Sequence, residues 1–197
     1  MKSKYFEIRA IETLSIKNLM VGDIIAVKGH TWLARQIRKF MKIQSRIKYH
    51  TDLKEYYNHT MIVTNPKTLE VAEAIGKGYV INPIFKETNL KNMILFRPRT
   101  QLDSEEKFMI KKTAINLAKK NIEYEILNFF WWIPYILTNG KIDLSPKASK
   151  KANKVFCFEA SAMIFNSARN FFTHPDKTTT VDMQMDERLI QYKFNIN

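Results

Sequence analysis

Apolar positions fall into two rhythms along this chain, and the rhythms predict its elements. Val21-Gly22-Asp23-Ile24-Ile25-Ala26-Val27-Lys28 reads as a turn followed by a short buried strand, after a weak strand or helix signal over residues 1–20. Gly29-His30-Thr31-Trp32 ends that strand. A helix is expected from about Trp32 to Lys42, with Trp32, Ile37, Phe40 and Met41 as its apolar face and Arg35, Arg38, Lys39 and Lys42 outside. Residues 43–57 are polar and irregular and read as a loop. Asn58 to Thr64 and Leu69 to Ile75 form two strands around the turn Asn65-Pro66-Lys67, a hairpin pattern. Tyr79 to Phe85 and Met93 to Arg97 are further strands, which predicts four adjacent antiparallel strands in a meander beside the strand at 23–28.

Asp103-Ser104-Glu105-Glu106 opens an amphipathic helix to about Lys120, with Phe108, Ile110, Ala114, Ile115, Leu117 and Ala118 as its buried side. Ile126 to Leu137 is the most apolar run, rich in aromatics, and shorter than the ~20 residues a membrane-spanning helix needs. Residues 141–151 are polar and loop-like. A helix capped by Asn153 is expected to run to about Phe172, its apolar positions Phe156, Ala160, Ile164, Ala168 and Phe171 recurring at intervals of three and four. Pro175 breaks it, and residues 181–189 read as a short final helix. With no internal repeat or low-complexity segment, residues 1–197 are expected to form a single domain.

Composition changes this picture little. The apolar share of 45% and charged share of 26% are those of a globular protein. One cysteine excludes an intramolecular disulfide and any cysteine-rich zinc site, and the four histidines show no metal-ligand spacing. No cofactor or metal is expected. The first residues lack the apolar core of a signal peptide, so the expectation is a cytoplasmic protein; a cell-envelope substrate would require release or delivery. The formal charge of +13 admits an anionic partner, such as a cell-wall polymer, a membrane surface or nucleic acid, against the alternative of a merely lysine-rich solvated surface.

Candidate chemistry concentrates at Cys157. It begins the helix that follows Phe156, where the positive end of the helix dipole favours thiolate over thiol. A free cysteine is also among the most buried residue types, so this stretch alone leaves an activated nucleophile and a small core residue both open. The hairpin supplies partners. If its turn is centred on Pro66, Val63 faces Leu69, Met61 faces Val71 and His59 faces Glu73, within reach of one another on one side of the sheet. Cys157, His59 and Glu73 then make a nucleophile, a base and a group that orients the base.

Several short motifs, in order, resemble the permuted papain-like hydrolases, the YiiX/YaeF-like branch of the NlpC-type cell-wall peptidase superfamily, related to the lecithin:retinol acyltransferase-like proteins. Gly22-Asp23-Ile24-Ile25 is similar to the family's opening strand. Tyr57-Asn58-His59-Thr60-Met61-Ile62-Val63 resembles its histidine strand, with Asn58 where serine is usual. Val71-Ala72-Glu73-Ala74 with Gly78-Tyr79-Val80 resembles its hairpin, and Tyr124-Glu125 its tyrosine–acid pair. Phe156-Cys157-Phe158-Glu159 resembles its cysteine motif, with Phe158 where serine or threonine is usual. The likeness spans about residues 21–170. It implies an α+β papain-like fold, circularly permuted, with the nucleophile helix packed on a small antiparallel sheet. It also implies Cys157 as nucleophile, His59 as base and Glu73 as third polar residue.

Trp32, Tyr57 and Tyr124 are the candidate substrate-binding residues: the helix from Trp32 would overhang the cleft, and the two tyrosines either line it or belong to core and rim. His30, His50 and His174 read as surface residues, Asp23 as a turn stabiliser and Glu159 as a helix-start acid. The backbone N–H of Cys157 is the expected first donor to an oxyanion. The expected function is hydrolysis of amide, peptide or ester bonds through an acyl-enzyme, on a peptide, amide or lipid-like substrate. The alternatives are transfer of lipid acyl groups, or a non-catalytic basic module for anionic membrane or, less expected, nucleic acid.

Overall fold

The strand at residues 24–27 lies in the middle of the sheet. The computed structural model describes residues 11–84, 90–120, 122–124, 128–138, 140–142 and 154–195. In chain order they form β1 (Glu12–Leu14), β2 (Ile24–Val27), α1 (Trp32–Tyr49), β3 (His59–Asn65), β4 (Glu70–Ile75) and β5 (Gly78–Pro83). Then come β6 (Met93–Pro98), α2 (Ser104–Lys119), β7 (Glu123–Tyr124) and α3 (Asn128–Leu137). The last elements are β8 (Lys154–Val155), α4 (Cys157–Ala168), α5 (Thr180–Met185) and β9 (Leu189–Phe194). Seven strands make one sheet in the order β1-β9-β6-β2-β3-β4-β5, and β7 and β8 pair separately. The architecture is a mixed α+β fold.

Strand alternation gives the sheet two buried faces. Ile24, Ala26, Ile62, Ala72, Ala74, Ile94 and Phe96 belong to one core, with Ile37 and Met41 of α1, Ile110 and Ala114 of α2, and the apolar side of α4. Ile25, Val27, Met61, Val63, Val71, Met93 and Leu95 form the other, closed by Leu19, Ile84 and Phe194. Each large side chain buried this way contributes about 1.5–3 kcal/mol. Gly78 admits the β7–β8 pair to the edge of β5. At φ +104°, a Cβ there would come 2.6 Å from the Ile122 carbonyl, which accepts the Tyr79 N–H at 2.8 Å.

Several sequence expectations are corrected. The strand at 93–98 does not extend the meander: β6 pairs with β2 and β9, and β2 separates it from β3. The final helix is short, and β9 follows it as a strand between β6 and β1. α1 continues to Tyr49, beyond the expected end at Lys42, because the polar Gln44 and Ser45 that break the apolar pattern are buried with partners. Gln44 bonds Asp182 and Thr179, and Ser45 donates to the Thr51 carbonyl at 2.7 Å. Trp32 is not on the apolar face of α1 but 68% exposed. On α2, Ile110 and Ala114 are buried while Phe108 and Ile115 face outward.

The expected cap Asn153 lies outside the described residues, and Phe156 occupies the cap position of α4. That helix stops at Ala168 rather than near Phe172. The Asn166 side chain takes the backbone N–H groups of Phe171 and Phe172, at 3.1 and 2.8 Å, and donates to the Phe172 carbonyl at 2.6 Å, folding the chain back. Phe171 and Phe172 then stack edge-on against Phe165.

Candidate active site

Cys157 is the first residue of α4, and His59 is the first residue of β3. Phe156 and Phe158 flank the cysteine. Both are fully buried, their rings edge-to-face at 5.0 Å, so the chain enters α4 anchored on both sides of the sulfur. Phe158 thus spends its side chain on the core. Glu159 accepts from the Phe156 N–H at 3.3 Å, as an acid one turn into a helix can.

The strand of the histidine and the helix of the cysteine are tied directly. Thr60 Oγ1 donates to the Cys157 carbonyl at 2.9 Å and lies 3.0 Å from Ser161 Oγ, all three residues buried. Cys157 Sγ lies 4.0 Å from the Asn58 carbonyl oxygen. The Asn58 side chain turns the other way. Its Oδ1 accepts from Gly29 N–H at 2.8 Å and from Arg38 at 3.1 Å, and Arg38 also donates to the Gly29 carbonyl. Asn58, the residue before His59, therefore fastens the loop that leads into α1.

His59 and Glu73 meet by a different register from the expected one. Met61, not His59, is opposite Glu73, and Val63 is opposite Val71, with a bulge between Val63 and Asn65. The turn is longer than one centred on Pro66: it spans residues 66–69, Leu69 takes φ +56°, and Asn65 Oδ1 accepts from the Lys67 N–H at 3.2 Å. The shift is two residues, so His59 and Glu73 keep the same face and meet diagonally, where long side chains still reach. His59 Nε2–H donates to Glu73 Oε2 at 2.7 Å, with their side chains only 20% and 14% exposed. Asn82 of β5 donates to the other oxygen, Oε1, at 3.2 Å. Strand alternation carries that residue: Asn82 is opposite Val71, which shares a face with Glu73.

The electrostatics make the three residues one unit. Burial opposes charge on the imidazole. Cys157, by its charge and a side-chain hydrogen bond, and then Glu73, by its own bond and charge, outweigh it and push His59 from 6.5 up to about 10. Burial likewise opposes the Glu73 carboxylate, but the bond and charge of His59 and the Asn82 amide hold it below its usual range. With Nε2 committed to Glu73, Nδ1 is the ring nitrogen left for the sulfur. The arrangement can hold a proton on the imidazole beside the Glu73 carboxylate and pass it on.

Cys157 itself is fully buried. Tyr57 is also in the core, its hydroxyl donating to Glu55 at 3.1 Å and its backbone carbonyl accepting from Thr180 at 2.8 Å. Trp32 stands exposed at the start of α1. The backbone of Tyr124 pairs with Val155, two residues before the cysteine; its side chain lies outside the description. The Phe129–Trp132 side chains likewise fall outside it. His30 Nε2 lies 3.0 Å from the Asn92 amide on the surface, and Asp23 binds the Met20 N–H and the Arg97 guanidinium. A cavity of about 240 Å³ beside Tyr49, Tyr135, Phe172 and Asp182 is lined by none of Cys157, His59 and Glu73. Among the described residues, no three His, Cys, Asp or Glu side chains are grouped to hold a metal ion, and no helix is long and apolar enough to cross a membrane.

No family model matches the chain, and no curated protein does. Among solved structures, the chain is similar to the crystal structure of metalloprotein yiiX from Escherichia coli O157:H7. The TM-score is 0.48 and the identity 19%, over 77% of this chain and 67% of that one.

Proposed function

We propose that the chain is a cysteine hydrolase of amide, peptide or ester bonds, of the permuted papain-like kind that its motifs resemble. The observation that carries this reading is the 2.7 Å His59–Glu73 bond, made by an imidazole that Cys157, at the start of α4, and Glu73 together push up to about 10. In the proposed reaction the His59 imidazole holds the proton of the thiol, and the sulfur attacks the substrate carbonyl carbon. The Cys157 N–H, which as a first helical residue meets no carbonyl inside the helix, donates to the developing oxyanion. His59 protonates the leaving amine or alkoxide as the tetrahedral intermediate collapses to a thioester. The same histidine then takes a proton from water, whose attack releases the acid and the thiol. Glu73 keeps the ring in place throughout, and Asn82 keeps Glu73 in place. Transfer of the acyl group to an acceptor other than water would use the same steps.

A second reading, a non-catalytic basic module on the same scaffold, draws on the complete burial of Cys157. The rate of Cys157 alkylation by iodoacetamide at neutral pH separates the two. The catalytic reading expects His59→Gln, which keeps the bulk beside the sulfur, to slow alkylation at least tenfold. Equal rates in the two folded proteins would make Cys157 an ordinary core thiol.

A further inference from the structure

We infer that the outward face of α1 is a docking surface for a membrane of anionic lipid. Along its 18 residues α1 carries Arg35, Arg38, Lys39, Lys42, Arg46 and Lys48 and no acid. At the angular step of a helix, Trp32, Arg35, Lys39, Lys42, Ile43 and Arg46 fall within an arc of about 100°, opposite the side that buries Ile37 and Met41. All six are exposed, Trp32 at 68% and Ile43 at 36%. Lys42 and Arg46 share Asp52 at 3.6 and 2.5 Å, whereas Arg35 and Lys39 have no acidic partner among the described residues.

This mixture names the partner. Unpaired cations match lipid phosphate and carboxylate, and an exposed indole with an isoleucine beside it suits the boundary between headgroups and acyl chains. A nucleic acid would use the cations and could stack on Trp32, but would leave Ile43 in water. The face also lies beside the candidate site. Trp32 is three residues beyond Gly29, whose N–H is held by Asn58, the residue before His59. Docking would thus bring His59 and Cys157 toward lipid-linked substrates. That use rests on the catalytic reading above, whereas the docking itself does not.

The test is co-sedimentation of the full chain with vesicles of phosphatidylcholine alone or mixed with phosphatidylserine, at low and high salt. The wild type is expected to pellet with the mixed vesicles at low salt and to be released by high salt. Arg35→Glu with Lys39→Glu should lower the partition coefficient ~1,000-fold, counting two attractions lost and two repulsions added. Trp32→Ala should lower it several-fold. Lys67→Glu with Lys77→Glu, the same change of net charge on exposed hairpin turns, should retain most of the binding.

Equal binding to neutral vesicles would overturn the inference, as would an equal loss in the hairpin control, which would make net charge the whole cause. Displacement by an oligonucleotide with no effect of Trp32→Ala would assign the face to nucleic acid instead. Should the double variant not fold, quenching of wild-type fluorescence by brominated lipid, lost in Trp32→Phe, decides the same question. All arms are repeated in Cys157→Ala: docking retained there while catalysis fails removes only the catalytic reading, and docking absent from an active wild type removes only this one.

Discussion

Replacing Glu73 by glutamine isolates what the third residue does. Glutamine has the same shape but no charge, and its two ends differ. Asn82 donates to Oε1 of Glu73, which would draw the glutamine oxygen toward Asn82 and leave the NH₂ facing His59 Nε2. An NH₂ cannot accept from an imidazole N–H, so Nε2 must lose its proton and become an acceptor. The remaining ring proton then sits on Nδ1, facing the sulfur, where it blocks uptake of the thiol proton. The bond lost is charge-assisted, 2.7 Å long and largely shielded from water, a class worth about 1.5–3 kcal/mol. At 1.36 kcal/mol per factor of ten, that is a ~10- to 100-fold loss. It is smaller than the ~10²- to 10⁴-fold that loss of the base itself costs. The assay is the second-order rate of Cys157 alkylation across a pH series. Glu73→Gln should lower the rate at neutral pH by that factor, and the part of the profile governed by His59 should move to lower pH, since Glu73 supports the imidazolium. An unchanged rate and profile in folded Glu73→Gln would refute the orienting role.

The same pair makes stability depend on pH. Pushed up to about 10, His59 keeps its proton in the folded chain where the unfolded chain has lost it. Its stabilisation is full below the unfolded value of ~6.5, shrinks as pH rises and is gone once the folded pKa is passed. The melting-temperature advantage of wild type over His59→Gln should therefore be largest at mildly acidic pH and close in alkali; an advantage growing with pH would contradict the ion pair. Glu73 acts in the opposite sense: its share is present above an unfolded value of ~4.3 and lost as pH falls through its depressed folded pKa. Thr60→Val removes the hydroxyl that bonds the Cys157 carbonyl and meets Ser161, so it should cost about 1–3 kcal/mol in denaturant unfolding and slow alkylation, with Thr60→Ser restoring both. A stable Thr60→Val protein alkylated at the wild-type rate would show that this tie does not position the sulfur.

How much of this was legible in the sequence depended on how local the deciding interactions are. Strands β2 to β6 follow from short-range alternation, and the alternation also puts His59 and Glu73 on one face despite the register error. The error arose because the turn length was set by Asn65 accepting from Lys67 and by the left-handed backbone at Leu69, neither of which apolar patterning encodes. Gln44 and Ser45 read as the end of a helix because their partners Asp182, Thr179 and Thr51 lie elsewhere in the chain. β9 escapes local patterning because the strands it pairs with, β1 and β6, lie far away in sequence. Asn82 follows from the same alternation, opposite Val71 and so on the face of Glu73, whereas the Thr60–Cys157 tie depends on the packing of α4 on β3.

If Cys157 carries an acyl group during turnover, intact-protein mass spectrometry after brief exposure to p-nitrophenyl acetate will catch it there. One acetyl group, mapped to Cys157 and lost again with time, is expected in wild type, and neither acylation nor release at that residue in His59→Gln. Acetylation confined to surface lysines, or Cys157 modified equally in both proteins and never released, would contradict it.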